Sequence, residues 1–208
     1  DNQRFLPLSE DKGVELVFNF RKENIFDGGN IFRTFDFTSL RQRSNFVSNI
    51  DYIGGDNIVR LREEVLKAKS PFVSQDDLRG MYHIRNEFDD NASLCSDYAW
   101  VYFYLPMPLS LEGSYYVIGD LTDWRFSEQN KFVFDNTLNQ YVLRLLLKQG
   151  YYNYQILYLP YGHTQGSYRE VEGNHSEAKN RYNLFLYYRE PGNDYDSFIG
   201  YSTSEYQY

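Results

Sequence analysis

Alternation of apolar and polar side chains is the feature that most restricts how this chain can fold. In the stretch YVLRLLLKQGYYNYQILY, apolar residues take alternate positions, with Arg144 and Lys148 between them. Because successive side chains of a β-strand point to opposite faces, the pattern predicts strands with one buried face. We interpret the stretch as a hairpin that turns at Gln149-Gly150. Its packed positions are Tyr141, Leu143, Leu145 and Leu147 before the turn, and Tyr152, Tyr154, Ile156 and Tyr158 after it.

The same alternation recurs elsewhere in the chain. One run, VELVFNF, places Val14, Leu16, Phe18 and Phe20 on one face, and another, YNLFLYYR, does so with Leu184, Leu186 and Tyr188. The chain has 21 Tyr and 16 Phe among its 208 residues, and both residue types favour strands. These observations predict an all-β protein. Residues 57–70 are the exception, because their helix formers and the i,i+4 pair Glu63–Lys67 leave helix and strand both open.

A polar and acidic stretch, NEFDDNASLCSDYAW, precedes a long apolar strand near the middle of the chain. We therefore predict a domain junction near residues 90–97, which leaves about 100 residues on each side, a common size for a β-sandwich. The predicted architecture is two tandem immunoglobulin-like antiparallel β-sandwiches. The first covers residues 1–93 and could be incomplete at its N-terminus, and the second covers residues 94–208.

Charge and composition exclude several classes of function. The chain has 21 basic and 29 acidic residues, which gives a net charge of −8. A negative chain repels phosphate backbones, so we predict no nucleic-acid partner. No apolar run approaches the roughly 18 residues that a membrane helix needs, so we also predict no membrane insertion. The single cysteine, Cys95, allows no internal disulfide.

Motifs for catalysis, cofactors and metals are missing from the sequence. The three histidines, His83, His163 and His175, have no metal-ligand spacing among themselves or with Cys95. The chain also lacks a nucleophile elbow and a glycine-rich phosphate loop. We therefore predict that the protein is not an enzyme, has no catalytic residue and holds neither a cofactor nor a metal.

One motif indicates a different class of function, glycan binding. The phrase YVIGDLTDW, followed by LLLKQGYYNYQILY, resembles starch- and glycogen-binding β-sandwich modules. In that resemblance Trp124 takes the place of the first ring that stacks on sugar. These modules usually add a second tryptophan and a lysine, but Gln155 stands at the lysine position and Trp100 lies upstream, in an apolar strand where we expect it to be buried. Glycan binding through Trp124 is thus the alternative hypothesis, and closure of one end of the core by Trp124 is the structural one.

A longer set of motifs resembles the type IX secretion system plug protein family of Bacteroidota. Its first block is ENIFDGGNIFRTFDFTSLR, from Glu23 to Arg41; the others are LKQGYYNY and YYREPGNDYDSFIGY, from Leu147 to Tyr154 and from Tyr187 to Tyr201. The three blocks stand in the family's order between residues 23 and 201, so the resemblance extends over nearly the whole chain. Asp27 replaces the family's usual proline, and Thr38 replaces a common arginine.

This resemblance implies a function and a location. It implies a non-enzymatic periplasmic plug that gates the outer-membrane translocon barrel protein of the type IX system by protein–protein contact. It also implies that the sequence is the C-terminal part of a longer exported protein, whose signal peptide and further β-sandwich lie upstream. The rival function is that of a glycan-binding module in an outer-membrane polysaccharide system.

Residues of the first block receive structural roles from elementary chemistry. We expect a turn with positive φ at Gly28-Gly29 and a bond from Asn30 to its own backbone. Arg33 and Asp36 are expected to pair with each other or to cap loop backbone. The aromatic residues that enter the following strand are Phe32, Phe35 and Phe37.

The predicted partner-binding residues lie on the second strand of the hairpin. Tyr151, Asn153 and Gln155 occupy the positions opposite the packed set that includes Tyr152 and Tyr154. An outward aromatic residue beside two amides suits an interface, because aromatic anchors carry much of the binding energy between proteins. The competing interpretation is that a neighbouring strand or the other domain covers this face.

Overall fold

The computed structural model describes residues 5–13, 15–19, 25–88 and 91–206, and most of its regular structure is β-strand. The helical segments are α1 at Ala92–Cys95 and single 3₁₀ turns at Lys67–Lys69 and Asp120–Thr122. The thirteen strands are β1 Glu10–Asp11, β2 Leu16–Val17, β3 Arg33–Asp36, β4 Val47–Ile53, β5 Asp56–Leu61, β6 Tyr82–Ile84, β7 Tyr98–Leu105, β8 Gly113–Ile118, β9 Val133–Asp135, β10 Gln140–Lys148, β11 Gly150–Pro160, β12 Asn180–Tyr188 and β13 Ser197–Tyr206. The prediction of a β protein with little helix is confirmed.

The chain divides into two compact units. The larger unit covers residues 29–174, and the smaller one combines residues 1–28 with residues 175–208. The boundary expected between residues 93 and 94 lies inside the larger unit, where strands from both sides share sheets. Strands β3 and β6 pair with β11, and β5 pairs with β7. The boundary was predicted from a polar stretch and from the usual size of a β-sandwich. Neither feature records which distant segments pair with each other.

Two sheets form the larger unit. One has the strand order β4-β5-β7-β10-β9, in which β5 and β7 are parallel and the other neighbours antiparallel. The other is built on β11, which pairs with β3 along one edge and with β6 and then β8 along the opposite edge. The segment left open between helix and strand, residues 57–70, continues strand β5 to Leu61 and then reaches the 3₁₀ turn at Lys67–Lys69.

The hairpin expected at Gln149-Gly150 does not form, because β10 and β11 belong to different sheets. Neither turn residue has the positive φ that a two-residue hairpin loop favours. Instead, the chain passes from one sheet to the other at this point, and two hydrogen bonds of Gln149 fix it there. The backbone N–H of Gln149 donates to Asp97 O at 2.9 Å, and its side-chain Nε2 donates to Thr38 O at 2.7 Å. The packed faces of the two strands contribute to one core rather than lying side by side.

That core draws aromatic residues from both sheets. Phe35 on β3 stacks on Tyr152 with ring centroids 5.0 Å apart, and it meets Phe103 on β7 edge-on at 5.3 Å. The predicted core residues Tyr141, Tyr152, Tyr154, Ile156 and Tyr158 are all buried. The alternation thus identified correctly which face of each strand packs inward.

The smaller unit behaves differently. Its strands form two separate ribbons, β1 with β2 and β12 with β13. Leu16, Phe18, Leu184 and Tyr188 were expected on core faces, but all four are exposed. Val14 and Phe20, from the same prediction, lie outside the described residues. Alternation identifies the faces of a strand, and it does not supply a second layer to cover them.

Candidate functional site

The predicted partner-binding residues on β11 differ in accessibility. Tyr151 is half-buried, with the guanidinium carbon of Arg85 lying 5.8 Å from its ring centroid. Gln155 is also half-buried, and its Nε2 donates to Asn30 O at 3.2 Å. Asn153 is completely buried. Of the three, Tyr151 and Gln155 present surface to a partner in this conformation and Asn153 does not.

Asn153 is buried because the segment that precedes β6 folds over it. Its Oδ1 accepts a hydrogen bond from Leu78 N, and its Nδ2 donates to Thr34 Oγ1 at 2.9 Å. Its backbone N–H also donates to Met81 O at 3.0 Å. The amide therefore fastens a loop to β3 and β11, so at Asn153 the cover is a loop of the same unit and neither of the two covers expected, a neighbouring strand or the other domain.

Trp124, the candidate glycan-stacking residue, is about half exposed. It has a left-handed backbone with φ 56°, and its ring meets Phe32 edge-on with centroids 5.9 Å apart. The ring also lies directly over Gly80, where a Cβ atom would come within 2.4 Å of its Cη2 atom. One part of the indole thus packs on the protein while another part remains accessible.

A buried charged cluster lies inside the larger unit. Arg33 donates from Nε to Glu172 Oε1 at 2.8 Å and from Nη1 to Glu64 Oε2 at 2.5 Å. The hydroxyl of Tyr154 donates to the other oxygen of Glu64, and Ile156 N donates to Glu172 Oε1 at 2.8 Å.

Of the two roles expected for Arg33 and Asp36, pairing with each other does not occur and capping of backbone does. Arg33 Nη2 donates to Val65 O at 2.8 Å, and Asp36 Oδ1 accepts from the backbone N–H of Thr38 at 2.8 Å, while its other oxygen pairs with Arg85.

Burial and neighbouring charges act against each other in this cluster. Burial raises the pKa of the Glu64 carboxyl above its ordinary value, although the charge of Arg33 opposes this. Burial alone would lower the pKa of Arg33, but the carboxylates of Glu172 and Glu64 raise it overall. Burial also lowers the pKa of Lys67, whose Nζ donates to Ile31 O at 3.1 Å. The positive charge of Arg33 and the carboxylates of Glu64 and Glu172 therefore stabilise one another inside the unit.

The arrangement suits a structural cross-link better than acid–base catalysis. Glu172 is completely buried, so a substrate cannot reach its carboxylate in this conformation. A cleft of about 180 Å³ opens beside Arg33, Glu64 and Tyr154, but Glu172 does not line it. Both carboxylates already accept hydrogen bonds from one guanidinium. Within the described ranges, no group of three His, Cys, Asp or Glu residues is placed to hold a metal ion.

The ribbon of β12 and β13 carries a cluster of exposed aromatic residues. Phe185 stands opposite Tyr201, and, beyond a bulge at Leu186/Tyr187, Tyr187 stands opposite Phe198. Ring centroids lie 5.2 Å apart for Phe185–Tyr201, 6.3 Å for Phe185–Phe198 and 5.6 Å for Tyr187–Phe198. We call these four residues the aromatic ribbon patch. Each is between 56% and 57% exposed.

Polar contacts fix one end of this patch. The Tyr201 hydroxyl bonds Asn183 Oδ1 at 2.9 Å, and Arg181 Nε donates to Glu205 Oε1 at 2.8 Å. The charges of Arg181 and Glu205 therefore compensate each other within the ribbon, and the four patch residues themselves carry no charge. Sequence reasoning missed the patch, although a signal was present: in YNLFLYYR the set of positions opposite Leu184 and Leu186 carries Phe185 and Tyr187, whereas a strand with one solvated face is polar at such a set.

Comparison with known proteins finds that this chain is similar to the crystal structure of a hypothetical protein from Parabacteroides merdae. It shares 30% sequence identity with this chain and superimposes with a TM-score of 0.83. The match covers 92% of this chain but 48% of the other, so this chain spans about half the length of that protein. No family model and no curated protein matches the chain. The chain is thus a mostly β protein with a structural relative in Bacteroidota.

None of the described residues belongs to a helix long and apolar enough to cross a bilayer.

Proposed function

We propose that this protein is a non-enzymatic component that acts by protein–protein contact through the aromatic ribbon patch. The observation that carries the proposal is the exposure of four contacting rings on a two-stranded ribbon. A contiguous exposed apolar surface of this kind marks an interaction site on soluble proteins. An isolated two-stranded ribbon also has marginal stability in water, so a partner that covers it would stabilise it.

The specific role that we propose is the periplasmic plug of the type IX outer-membrane translocon. The three sequence blocks that resemble the plug family support this role, as does a structural relative from the same phylum. The third block contains Tyr187, Phe198 and Tyr201, so the residues that carry the resemblance include three of the four patch rings. The proposed partner is the translocon barrel protein, and the proposed location is the periplasmic side of the outer membrane.

We also propose that the larger unit is an immunoglobulin-like β-sandwich. Its support is the core that the two sheets share, with Phe35 of one sheet against Phe103 of the other. A rigid scaffold of this kind presents surface residues without needing a catalytic group. Tyr151 and Gln155, the accessible members of the predicted contact set, are proposed as secondary contacts on this unit.

A pull-down from a Bacteroidota envelope extract tests the proposal. The parent chain should recover the translocon barrel protein, and the double substitution Phe185→Ser with Phe198→Ser should abolish recovery. Leu184→Ser is the matched control, because Leu184 is 58% exposed on the opposite face of the same ribbon. Circular dichroism should show that both variants retain the β signal of the parent chain.

Two results would overturn the proposal. One is full recovery of the barrel protein by the double variant, and the other is equal loss with Leu184→Ser. The conservative change Phe198→Tyr keeps a ring in place and should preserve recovery. Its failure would show that removal of the aromatic surface does not explain the loss.

Glycan binding is the second candidate, favoured by the partial exposure of Trp124. A single accessible indole gives a limited platform, since carbohydrate sites combine apolar surface with several convergent polar groups. Titration with an α-glucan should produce no change in tryptophan fluorescence. Saturable binding that Trp124→Ala removes would instead establish the glycan-binding function.

A further inference from the structure

A second surface, independent of the ribbon, lies on the larger unit. Strand β7 buries Ala99, Val101, Phe103 and Leu105, and its other face carries Tyr98, Trp100, Tyr102 and Tyr104. Tyr98 is exposed and the other three aromatic residues are half-buried. Trp100 was expected to be buried in an apolar strand, but the alternation of β7 places it on this outward face.

Cations from the neighbouring strands lie on these rings. The guanidinium carbon of Arg144 on β10 is 4.8 Å from the centroid of Trp100, and Lys148 Nζ is 5.3 Å from that of Tyr98. On the other side, the guanidinium of Arg60 lies 5.8 Å from the ring of Tyr102. Contacts of this kind attract the cation to the ring face and limit its motion.

Two of the three cations have no carboxylate partner among the described residues. Arg60 pairs with Asp51, whereas Lys148 donates to the carbonyl oxygen of Ser93 at 2.6 Å. Arg144 is exposed and forms no ion pair. Asp56 directly precedes the parallel pair Asn57–Ala99 on β5, and Asp135 lies opposite Gln140 at the β9 edge of the sheet. The charges that lie directly on Trp100 and Tyr98 are both positive, although the whole chain has a net charge of −8.

We infer that this face binds an extended acidic polypeptide segment. The charged groups of Arg144 and Lys148 lie over Trp100 and Tyr98, which are two residues apart on β7 and therefore about 7 Å apart. An extended segment presents side chains two residues apart at the same spacing, so two of its carboxylates can reach both cations at once. The rings hold the cations in place before binding, which lowers the conformational entropy lost on association. This site does not depend on the aromatic ribbon patch.

Fluorescence anisotropy with a labelled peptide of alternating Glu and Thr tests the inference. The parent chain should bind the peptide at low ionic strength, and binding should weaken as salt screens the charges. Arg144→Gln and Lys148→Gln should each weaken binding by up to about fivefold, the upper end of the range for exposed ion pairs. Arg41→Gln is the matched control, because Arg41 likewise lies over a ring, that of Phe88 at 5.1 Å, but belongs to none of the strands β5, β7 and β10. It should leave affinity unchanged.

Three outcomes would overturn the inference. The first is no binding by the parent chain, and the second is equal weakening by Arg41→Gln. The third is binding of dextran sulfate that depends on Arg144 and is tighter than that of the peptide, which would identify a polyanionic glycan as the ligand. A peptide of alternating Gln and Thr should not bind. None of these results depends on recovery of the translocon barrel.

Discussion

Replacement of Arg33 by methionine tests whether the buried charged cluster holds the larger unit together. Arg33 has a side chain only 4% exposed, and its two carboxylate partners are 12% exposed for Glu64 and 0% for Glu172. Methionine retains most of the aliphatic volume, so the change removes the charge and three hydrogen bonds, including that to Val65 O. Leaving buried charges uncompensated costs about 3–5 kcal/mol. We expect the free energy of unfolding to fall by that amount.

Urea unfolding, followed by tryptophan fluorescence, measures this change, because Trp100 and Trp124 both belong to the larger unit. Arg85→Met is the matched control. Arg85 pairs with Asp36, but its side chain is 47% exposed, so its loss should cost less than about 1 kcal/mol. A loss below about 1 kcal/mol for Arg33→Met would refute the role that we assign to the cluster.

A second substitution separates charge from packing. Adding Glu172→Gln to Arg33→Met removes one of the two orphaned charges, so the double variant should recover at least about 1 kcal/mol. If the double variant is as unstable as Arg33→Met or less stable, the loss arises from packing around residue 33 and not from the uncompensated carboxylates.

Three further predictions follow from the larger unit. Burial raises the pKa of the Glu64 carboxyl, so the folded chain holds the proton of this carboxyl more tightly than the unfolded chain does. Protonation of Glu64 therefore stabilises the fold at low pH, and this stabilisation is lost as pH rises through the raised pKa. Glu64→Gln should therefore gain stability relative to the parent chain as pH rises above about 4.3, and a constant difference across pH would contradict this. Gly80→Ala should destabilise more than Gly162→Ala: both have positive φ, but a Cβ meets rings only at Gly80, and equal melting temperatures would exclude the ring clash. Asn153→Ala should cost about 1–3 kcal/mol, because it leaves buried polar groups unsatisfied. Gln155→Ala should cost less than 1 kcal/mol by the same principle, and the reverse order in urea unfolding would contradict the burial of Asn153.

Local sequence pattern was sufficient to predict that the chain is mostly β-strand and which side of each core strand faces inward. Alternation predicted that Tyr152, Tyr154 and Ile156 pack inward, and all three are buried. It did so because side-chain direction in a strand depends only on the parity of the position. The turn with positive φ at the glycine pair of the first block was also predicted from local sequence, and Gly29 has a φ of +76°.

The arrangement of the strands could be read only from the folded structure. Local pattern is the same whether β10 and β11 pair side by side or face each other across a core, and the structure places them in different sheets. Parity likewise could not show that a loop covers Asn153, or that no second layer covers Leu184. Arg33 finds its partners 31 and 139 residues further along the chain. Such contacts depend on which distant segments meet, and the spacing of residues within one segment carries no record of that.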